Sequence, residues 1–295
     1  MPLVSFQQLM AQTDGYAVGY FESWDLESLL AVADAAEETR SPVILGFSGI
    51  YLTHPHRAVN GPLSVYAAIG LEVCRKLSVP ACLLFNESPD FGAVLNAVDA
   101  GFSMVMFSDE ENLVARVKAV CAKAHAAGAA VEAELAELPG AAGNLRQRPT
   151  DLRLTDVDAA CQFVKDTGVD ALAVNIGQIH LHGRETVRLD LARLDRVREA
   201  VDVPLVLHGA SSVAENDLGA AIQRGIRKIN VGSVLKQTYF RALREASATV
   251  APDANPYEII GSGLENDVLV AGRVAMQRKV ADLMRSFGSA GRAKR

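Results

Sequence analysis

Short apolar runs rich in β-branched residues alternate with longer amphipathic stretches along most of this 295-residue chain, and this alternation restricts the fold more than any other feature. Such a run followed by an amphipathic stretch is typical of a parallel strand and its crossover helix. Eight runs predict strands, at residues 16–22, 42–48, 80–88, 102–108, 130–138, 171–177, 204–210 and 228–233. Eight repeats in a chain of this length predict an α/β fold of the (β/α)8 TIM-barrel type.

The main structural alternative is a doubly wound sheet, which has the same strand–helix order. No GxGxxG motif follows the first predicted strand, so a dinucleotide-binding fold is disfavoured. Helix boundaries support the strand–helix reading. Asp25 precedes a helical run that closes near Arg40, and Asp156 begins one that closes at Gly168.

The chain length, and the capping and turn residues between the predicted elements, predict one barrel domain over residues 1–295. Residues 250–287 are expected to form a helical extension that packs on the barrel or on a neighbouring subunit, and 288–295 a frayed tail. Two predicted connections, 139–154 and 178–190, are too long for simple turns and follow strands at the end where barrels carry function. We expect lid or site loops there.

The net charge of −6 argues against nucleic acid or an anionic membrane as a partner, because both require clustered excess Lys and Arg. A small-molecule partner is expected instead. The four cysteines lie far apart and form no CxxC pair, which is typical of buried thiols in a reducing compartment. The sequence shows neither a secretory leader nor an apolar run of about 20 residues, so a cytoplasmic location is predicted.

Polar residues stand at or near the carboxyl ends of the apolar strands, where a parallel barrel brings them to one mouth. They are Asn86, Glu87, Glu132, Glu134, His180, His208 and Asn230. Imidazole suits Zn, Mn, Co or Fe, and a carboxylate completes a two-His, one-carboxylate set. His180, His208 and Glu87 are therefore candidate metal ligands; the alternative is that each His is a hydrogen-bonded residue at a strand end.

Small residues form a turn directly after the seventh predicted strand, at Gly209 and Ser211. Backbone N–H groups of such a turn can bind an oxyanion, and Asn230 and Ser233 follow the next strand, where barrels often bind phosphate. An ordinary turn is the alternative. With Ser48, these residues are the candidate substrate-binding or phosphate-binding set.

Several segments occur in the same order as in a known family. They are Tyr16-Ala17-Val18-Gly19 with Leu26-Glu27, Ser41-Pro42-Val43-Ile44-Leu45, Val131-Glu132-Ala133-Glu134-Leu135, Thr167-Gly168-Val169-Asp170-Ala171-Leu172-Ala173-Val174, Pro204-Leu205-Val206-Leu207-His208-Gly209-Ala210-Ser211 and Lys228-Ile229-Asn230-Val231. Over nearly its full length the chain resembles the class II, metal-dependent fructose-bisphosphate and tagatose-bisphosphate aldolases. The resemblance implies a divalent metal, usually zinc, that is held by three histidines and polarises the carbonyl of a ketose phosphate.

His180 and His208 match two of the ligands that the resemblance implies. The third belongs to a strand-three motif of the type Leu-His-Leu-Asp-His, where this chain reads Leu83-Leu84-Phe85-Asn86-Glu87. Glu87 then replaces a ligand His, and Asn86 replaces the Asp that transfers a proton, although an amide cannot take one. Glu22 also stands where the family tends to have Asn, and Leu181 follows His180 where a Gly is usual.

The altered site leaves three hypotheses, because function depends on the site and not on the fold. The first is a metal-dependent aldolase of altered substrate specificity, with Glu87, Glu134 or Asp109 as the proton-transfer group. The second is an isomerase or epimerase on the same scaffold, and the third is a barrel that binds a sugar phosphate without catalysis. The resemblance also implies a homo-oligomer, a dimer or tetramer, in which Arg278 reaches a neighbour's site.

Overall fold

A computed structural model describes residues 2–109, 111–136, 138, 152–179 and 186–293 of the chain. Eight strands of this described part close into a parallel barrel in sequence order. They are β1 Val18–Ser23, β2 Val43–Ser48, β3 Ala81–Ser88, β4 Met104–Phe107, β5 Ala130–Glu134, β6 Ala171–Ala173, β7 Leu205–Leu207 and β8 Ile226–Val231. The predicted (β/α)8 barrel is confirmed.

Helices lie between the strands and after the last one. Those of the described residues are α1 Phe6–Met10, α2 Leu26–Thr39, α3 Gly49–Leu52, α4 Leu63–Lys76, α5 Phe91–Asp99, α6 Leu113–Ala126, α7 Val157–Thr167, α8 Leu191–Ala200, α9 Glu215–Gln223, α10 Ser233–Ala248, α11 Pro256–Ile259 and α12 Val268–Ser286. The Asp25 side chain caps α2 by accepting from the Ser28 N–H, and α2 ends at Arg40 in a left-handed conformation. Asp156 and Gly168 bound α7 in the same way, as predicted.

Three strands end three or more residues earlier than the sequence predicted, namely β5, β6 and β7. After β6, the Asn175 and Gln178 side chains accept hydrogen bonds from the Gly177 and Ile176 N–H groups, which draws the backbone into a turn. After β7, Gly209 adopts a φ of +64° and leads into a short 3-10 helix at Ala210–Ser212. Apolar composition alone does not reveal these local hydrogen bonds.

Alternate side chains of each strand point into the barrel or out toward the helices. The inner layers are apolar toward the amino ends of the strands, with Tyr20, Ile44, Leu84, Met104, Met106 and Val206 in one cluster. Toward the carboxyl ends the inward positions become polar. The polar site therefore lies above a packed layer of apolar side chains in the barrel interior.

The C-terminal helix α12 packs on α2 and α10 of the same chain. After it the chain returns to the end of α2, where Gly291 N–H donates to the Thr39 carbonyl at 2.8 Å and Ala293 N–H to the Arg40 carbonyl at 3.0 Å. These hydrogen bonds hold residues 291–293 against α2, where the sequence predicted a frayed tail. Residues 294–295, together with 139–151 and 180–185 of the two predicted site loops, lie outside the described residues.

Cys74, Cys82 and Cys121 are buried free thiols and Cys161 is partly exposed, close to what the sequence predicted. Burial raises the pKa of Cys82 to about 12, so this thiol stays protonated. In the portion of the chain that the structure covers, no helix combines the length and apolar character needed to cross a membrane.

Candidate active site

A small cavity opens at the carboxyl ends of the strands. Its polar lining comes from several strands and from the helices that follow them. Among the described residues these polar side chains are Tyr20, Glu22, Ser48, Tyr51, Asn86, Glu87, His208, Asn230, Ser233 and Lys236. Side chains distant in sequence thus meet at one mouth, as the parallel topology requires.

His208, directly after β7, lies between two carboxylates. Its Nδ1 is 2.6 Å from Glu87 Oε1 and its Nε2 is 2.8 Å from Glu132 Oε1, and the imidazole is 2% exposed. Both ring nitrogens can donate only in the imidazolium form. The buried ring is therefore fixed in position by two hydrogen bonds to acids.

Glu87 reaches the cavity because β3 is irregular at this point. The pairing of β3 with β4 shifts register between Phe85 and Ser88, and Glu87 adopts a φ of +47°. Strict alternation would place Asn86 inside and Glu87 outside. The bulge turns both side chains toward the mouth, at the cost of a left-handed conformation that is unfavourable for a residue with a Cβ.

A buried ammonium neutralises the other acid of this group. Lys228 Nζ donates to Glu132 Oε2 at 2.7 Å, and both side chains are fully buried. Lys228 also donates to the Asn230 amide oxygen, and the Asn230 Nδ2 donates to Asn86 Oδ1 at 3.1 Å. A continuous hydrogen-bonded network therefore joins β8, β5 and β3 beneath the cavity.

The charges of this network stabilise one another. Burial opposes the charged ring, but the hydrogen bonds to Glu132 and Glu87 outweigh it and raise the pKa of His208 to about 10. Burial alone would raise the pKa of Glu132, but Lys228 and His208 hold that pKa down at about 2. Burial lowers the pKa of Lys228, and Glu132 opposes this effect.

A second ion pair lies at the rim of the mouth. Lys236 Nζ is 2.6 Å from Glu22 Oε1, and it lies 3.4 Å above the centroid of the Tyr51 ring and 5.6 Å from that of Trp24. A cation over an aromatic face is attracted by the ring quadrupole. The Lys236 side chain is therefore fixed by an acid and an aromatic face together.

Two buried hydroxyl groups at the cavity have no hydrogen-bond partner among the described residues. They are Tyr20 Oη and Ser48 Oγ. Buried polar atoms in folded proteins are nearly always paired, so an unpaired one in a cavity wall indicates contact with a ligand or water. Burial raises the pKa of Tyr20 well above its usual value, so the phenol is neutral.

The donor types at the mouth fit a divalent ion, although the described residues do not form a complete ligand set. Glu87 supplies carboxylate oxygen, and His208 supplies an imidazole nitrogen once its ring has lost the Nδ1 proton that faces Glu87; Zn2+ accepts both donors. In the described part of the chain, no group of three or more His, Cys, Asp or Glu side chains is arranged to hold an ion. The remaining predicted ligand, His180, lies outside it.

The structure brings six of the predicted site residues to one cavity, namely Ser48, Asn86, Glu87, His208, Asn230 and Ser233.

Glu134 is buried at the end of β5 but is not part of the described lining. Ser211 lines a neighbouring cavity, beside Lys279. Gly209 begins the 3-10 helix and Arg278 is exposed on α12, and neither is among the described lining residues of this mouth. Asp109 pairs with Arg116 at 2.6 Å instead of facing the mouth.

Four further residues of the site were not predicted from the sequence, namely Tyr20, Tyr51, Lys228 and Lys236. Tyr20 and Lys228 stand two residues before Glu22 and Asn230, so a strict period of two would have placed them on the inward face. Lys236 is four residues after Gly232, one helical turn into α10. Tyr51 has no sequence signal, because its contact with Lys236 joins the ends of two different strands.

Comparison with known proteins gives one consistent family. The family model described as fructose-bisphosphate aldolase class-II matches residues 6–292. A fructose-bisphosphate aldolase from Thermus caldophilus is 32% identical over 310 residues, covering 96% of each chain. One from Geobacillus stearothermophilus is 33% identical over 301 residues, covering 99% of each.

Solved structures agree with this result. The YdjI aldolase from Escherichia coli superimposes with a TM-score of 0.78 at 28% identity, over 99% of this chain and 100% of that one. A fructose-bisphosphate aldolase from Campylobacter jejuni gives a TM-score of 0.75 over 98% of this chain and 97% of that one. At 18% identity the latter supports the fold alone.

Proposed function

Because the chain belongs to the class II fructose-bisphosphate aldolase family, we propose that it is a carbon–carbon lyase that reversibly cleaves a ketose and differs from its relatives in substrate specificity. The observation that carries the proposal is the convergence of Asn86, Glu87 and His208 on one cavity at the barrel mouth. The substrate is a sugar or sugar phosphate that enters this cavity.

In this proposal a divalent metal, Zn or else Mn, Co or Fe, is held by His180, His208 and Glu87. When bound, such an ion polarises a ketone carbonyl and stabilises the negative charge left when the carbon–carbon bond breaks. Glu132 supports this arrangement from below by holding His208 in position, since a hydrogen bond to the second ring nitrogen fixes the orientation of a ligand imidazole.

Proton transfer requires a group other than Asn86. The Asn86 amide can orient a substrate hydroxyl, but it has no basic site at neutral pH. Glu87 is the adjacent carboxylate on the cavity wall, so it is the first candidate for the proton acceptor. Glu134, at the end of β5, is the second.

The unpaired hydroxyls of Tyr20 and Ser48 give the substrate two hydrogen-bonding positions in the wall. Asn230 and Ser233 extend this polar surface along the start of α10. Tyr20 is neutral and donates, whereas Ser48 can donate or accept, which suits the hydroxyl groups of a sugar.

The test is His208→Ala, with metal content and ketose cleavage both measured. We expect this variant to lose bound metal and at least 100-fold in kcat/KM, because the ring joins Glu87 and Glu132 and is the candidate ligand. His56→Ala is the matched control, since His56 is an exposed histidine outside the described cavity lining. Unchanged metal content and turnover in His208→Ala would contradict the proposal.

A non-catalytic sugar-binding barrel is the alternative that Asn86 favours, since the amide replaces the proton-transfer acid. It predicts ligand binding without any change in the ketose, whereas an isomerase or epimerase would give a rearranged sugar of the same carbon number. Product analysis by NMR separates these outcomes. A cytoplasmic location, a homo-oligomeric assembly and a role for Arg278 in a neighbour's site stay predictions.

A further inference from the structure

The carboxylate of Glu22 lies against the start of α10. Gly232 is the N-cap residue of this helix, and a Cβ built on it would lie 2.7 Å from Glu22 Oε2. A side chain at this position would therefore require the Glu22 carboxylate to move. Glycine allows the acid at the end of β1 to approach the helix terminus.

A helix N-terminus carries unpaired N–H groups and a partial positive charge, and it is the position at which TIM barrels commonly bind a phosphate after strands seven and eight. The N-cap residue of α10, Gly232, has no side chain that could cap the helix. The negative charge at this position is supplied by Glu22, which is 8% exposed. The protein itself therefore provides the anion.

The nearest cation does not restore a phosphate site. Lys236, one turn into the same helix, is 2.6 Å from Glu22 Oε1, so the two formal charges cancel. The Tyr51 ring covers another side of the ammonium, with its centroid 3.4 Å from Nζ. Among the described lining residues of the mouth, the other charged side chains are Glu87 and His208, which bind each other.

An ion pair with no net charge is suited to bind a hydroxyl group of the substrate. The carboxylate accepts a hydrogen bond, and the ammonium donates one from its partly exposed side. A phosphate at the same position would lie beside a carboxylate, which repels it. We propose that the Glu22–Lys236 pair selects a ketose whose end at this rim is an unphosphorylated, hydroxyl-bearing carbon chain, and that it rejects a phosphate there. This inference rests on the proposed lyase function and names its substrate class.

The test is Glu22→Gln, which keeps the shape of the side chain and removes its charge. We expect the ratio of kcat/KM for fructose 1,6-bisphosphate to kcat/KM for fructose to rise tenfold or more. We also expect Glu22→Gln to bind inorganic phosphate at least tenfold more tightly in calorimetric titration, because Lys236 is then an unneutralised cation. Glu27→Gln is the control, since that carboxylate lies 3.2 Å from Arg273, outside the described cavity lining.

Lys236→Met provides a second variant that separates the roles of the two charges. We expect it to gain no phosphate binding and to lose cleavage of fructose, because the anion then lacks its donor partner. Selective loss of bisphosphate cleavage in Lys236→Met would instead make Lys236 a phosphate ligand and overturn the inference. The inference is also overturned if Glu22→Gln and Glu27→Gln have the same effect on cleavage and phosphate binding.

The lyase proposal and this inference fail in different ways. If the wild-type protein cleaves neither ketose, the proposed function fails, and the phosphate titrations still decide the role of Glu22. If cleavage is observed and the wild-type protein binds phosphate as tightly as Glu22→Gln does, the inference alone fails. Circular dichroism melting of each variant excludes unfolding as the cause.

Discussion

At the scale of single residues, the barrel interior contains charges that are stable only together. Lys228, Glu132 and His208 are almost completely buried, and each has an oppositely charged neighbour within 2.8 Å. Transferring an ion out of water costs several kcal/mol unless a partner compensates it. Removal of one member therefore leaves the others in an unfavourable environment.

We expect Lys228→Met to lower the free energy of unfolding by about 3–5 kcal/mol, because it leaves the buried Glu132 carboxylate short of a partner. The double variant Lys228→Met/Glu132→Gln should lose clearly less than the sum of the two single changes, since it removes both charges. Urea unfolding followed by circular dichroism measures these values. The control is Lys76→Met, whose pair with Glu72 is largely exposed and is expected to contribute less than about 1 kcal/mol. Equal effects of Lys228→Met and Lys76→Met would contradict this account.

At the scale of elements, the helices differ in how closely their neighbours pack against them, as one glycine on α12 and one on α9 show. On α12, Gly272 faces the Tyr239 ring of α10, and a Cβ at Gly272 would lie 2.8–3.0 Å from three ring atoms. On α9, Gly219 is exposed, and a Cβ there would meet no atom within 4 Å. The same change thus meets a close helix contact in one case and open solvent in the other.

Alanine at these two glycines should have opposite effects on stability. Gly219→Ala is expected to raise the free energy of unfolding by about 0.5–1 kcal/mol through helix propensity alone. Gly272→Ala is expected to lower it by about 1–3 kcal/mol, because overpacking against Tyr239 outweighs the propensity gain. Chemical denaturation of both variants under the same conditions measures the difference. A stabilising Gly272→Ala would show that α10 and α12 separate at little cost.

At the scale of the whole molecule, barrel closure and the C-terminal segment bring the chain ends together. β1 pairs with β8, and residues after α12 return to the carboxyl end of α2. Ser289 is fully buried, and Arg292 lies 5.4 Å from the centroid of the Tyr16 ring. The segment therefore closes the outer layer beside the first strand.

Deletion of residues 288–295 should lower the melting temperature by about 3 °C, which corresponds to about 2 kcal/mol in a protein of 295 residues. The physical reason is the loss of the hydrogen bonds to the Thr39 and Arg40 carbonyls at the end of α2. Deletion of 294–295 alone is the control and should leave the melting temperature within about 1 °C. Differential scanning calorimetry measures both, and equal melting temperatures for the two deletions would contradict a structural role for 288–293.

The barrel, and the residues that gather near its mouth, follow from local patterns in the sequence. Alternating apolar runs and helices, with Asp and Gly at the helix ends, are local patterns, and a parallel barrel necessarily gathers its strand ends. Asn86, Glu87 and His208 could therefore be assigned to one mouth from their positions alone. The predicted ends of the strands were less accurate, because side-chain hydrogen bonds after β6 and the left-handed Gly209 after β7 end these strands early.

The partner of each side chain at the mouth depends instead on how distant segments pack together. The bulge that turns Glu87 inward depends on how β3 lies against β4, and the Glu22–Lys236 pair forms because β1 closes on β8 beside α10. Contacts between segments more than 200 residues apart have no local signature in the sequence. A period of two identifies an inward residue, whereas the distances and charges around it are set by barrel closure.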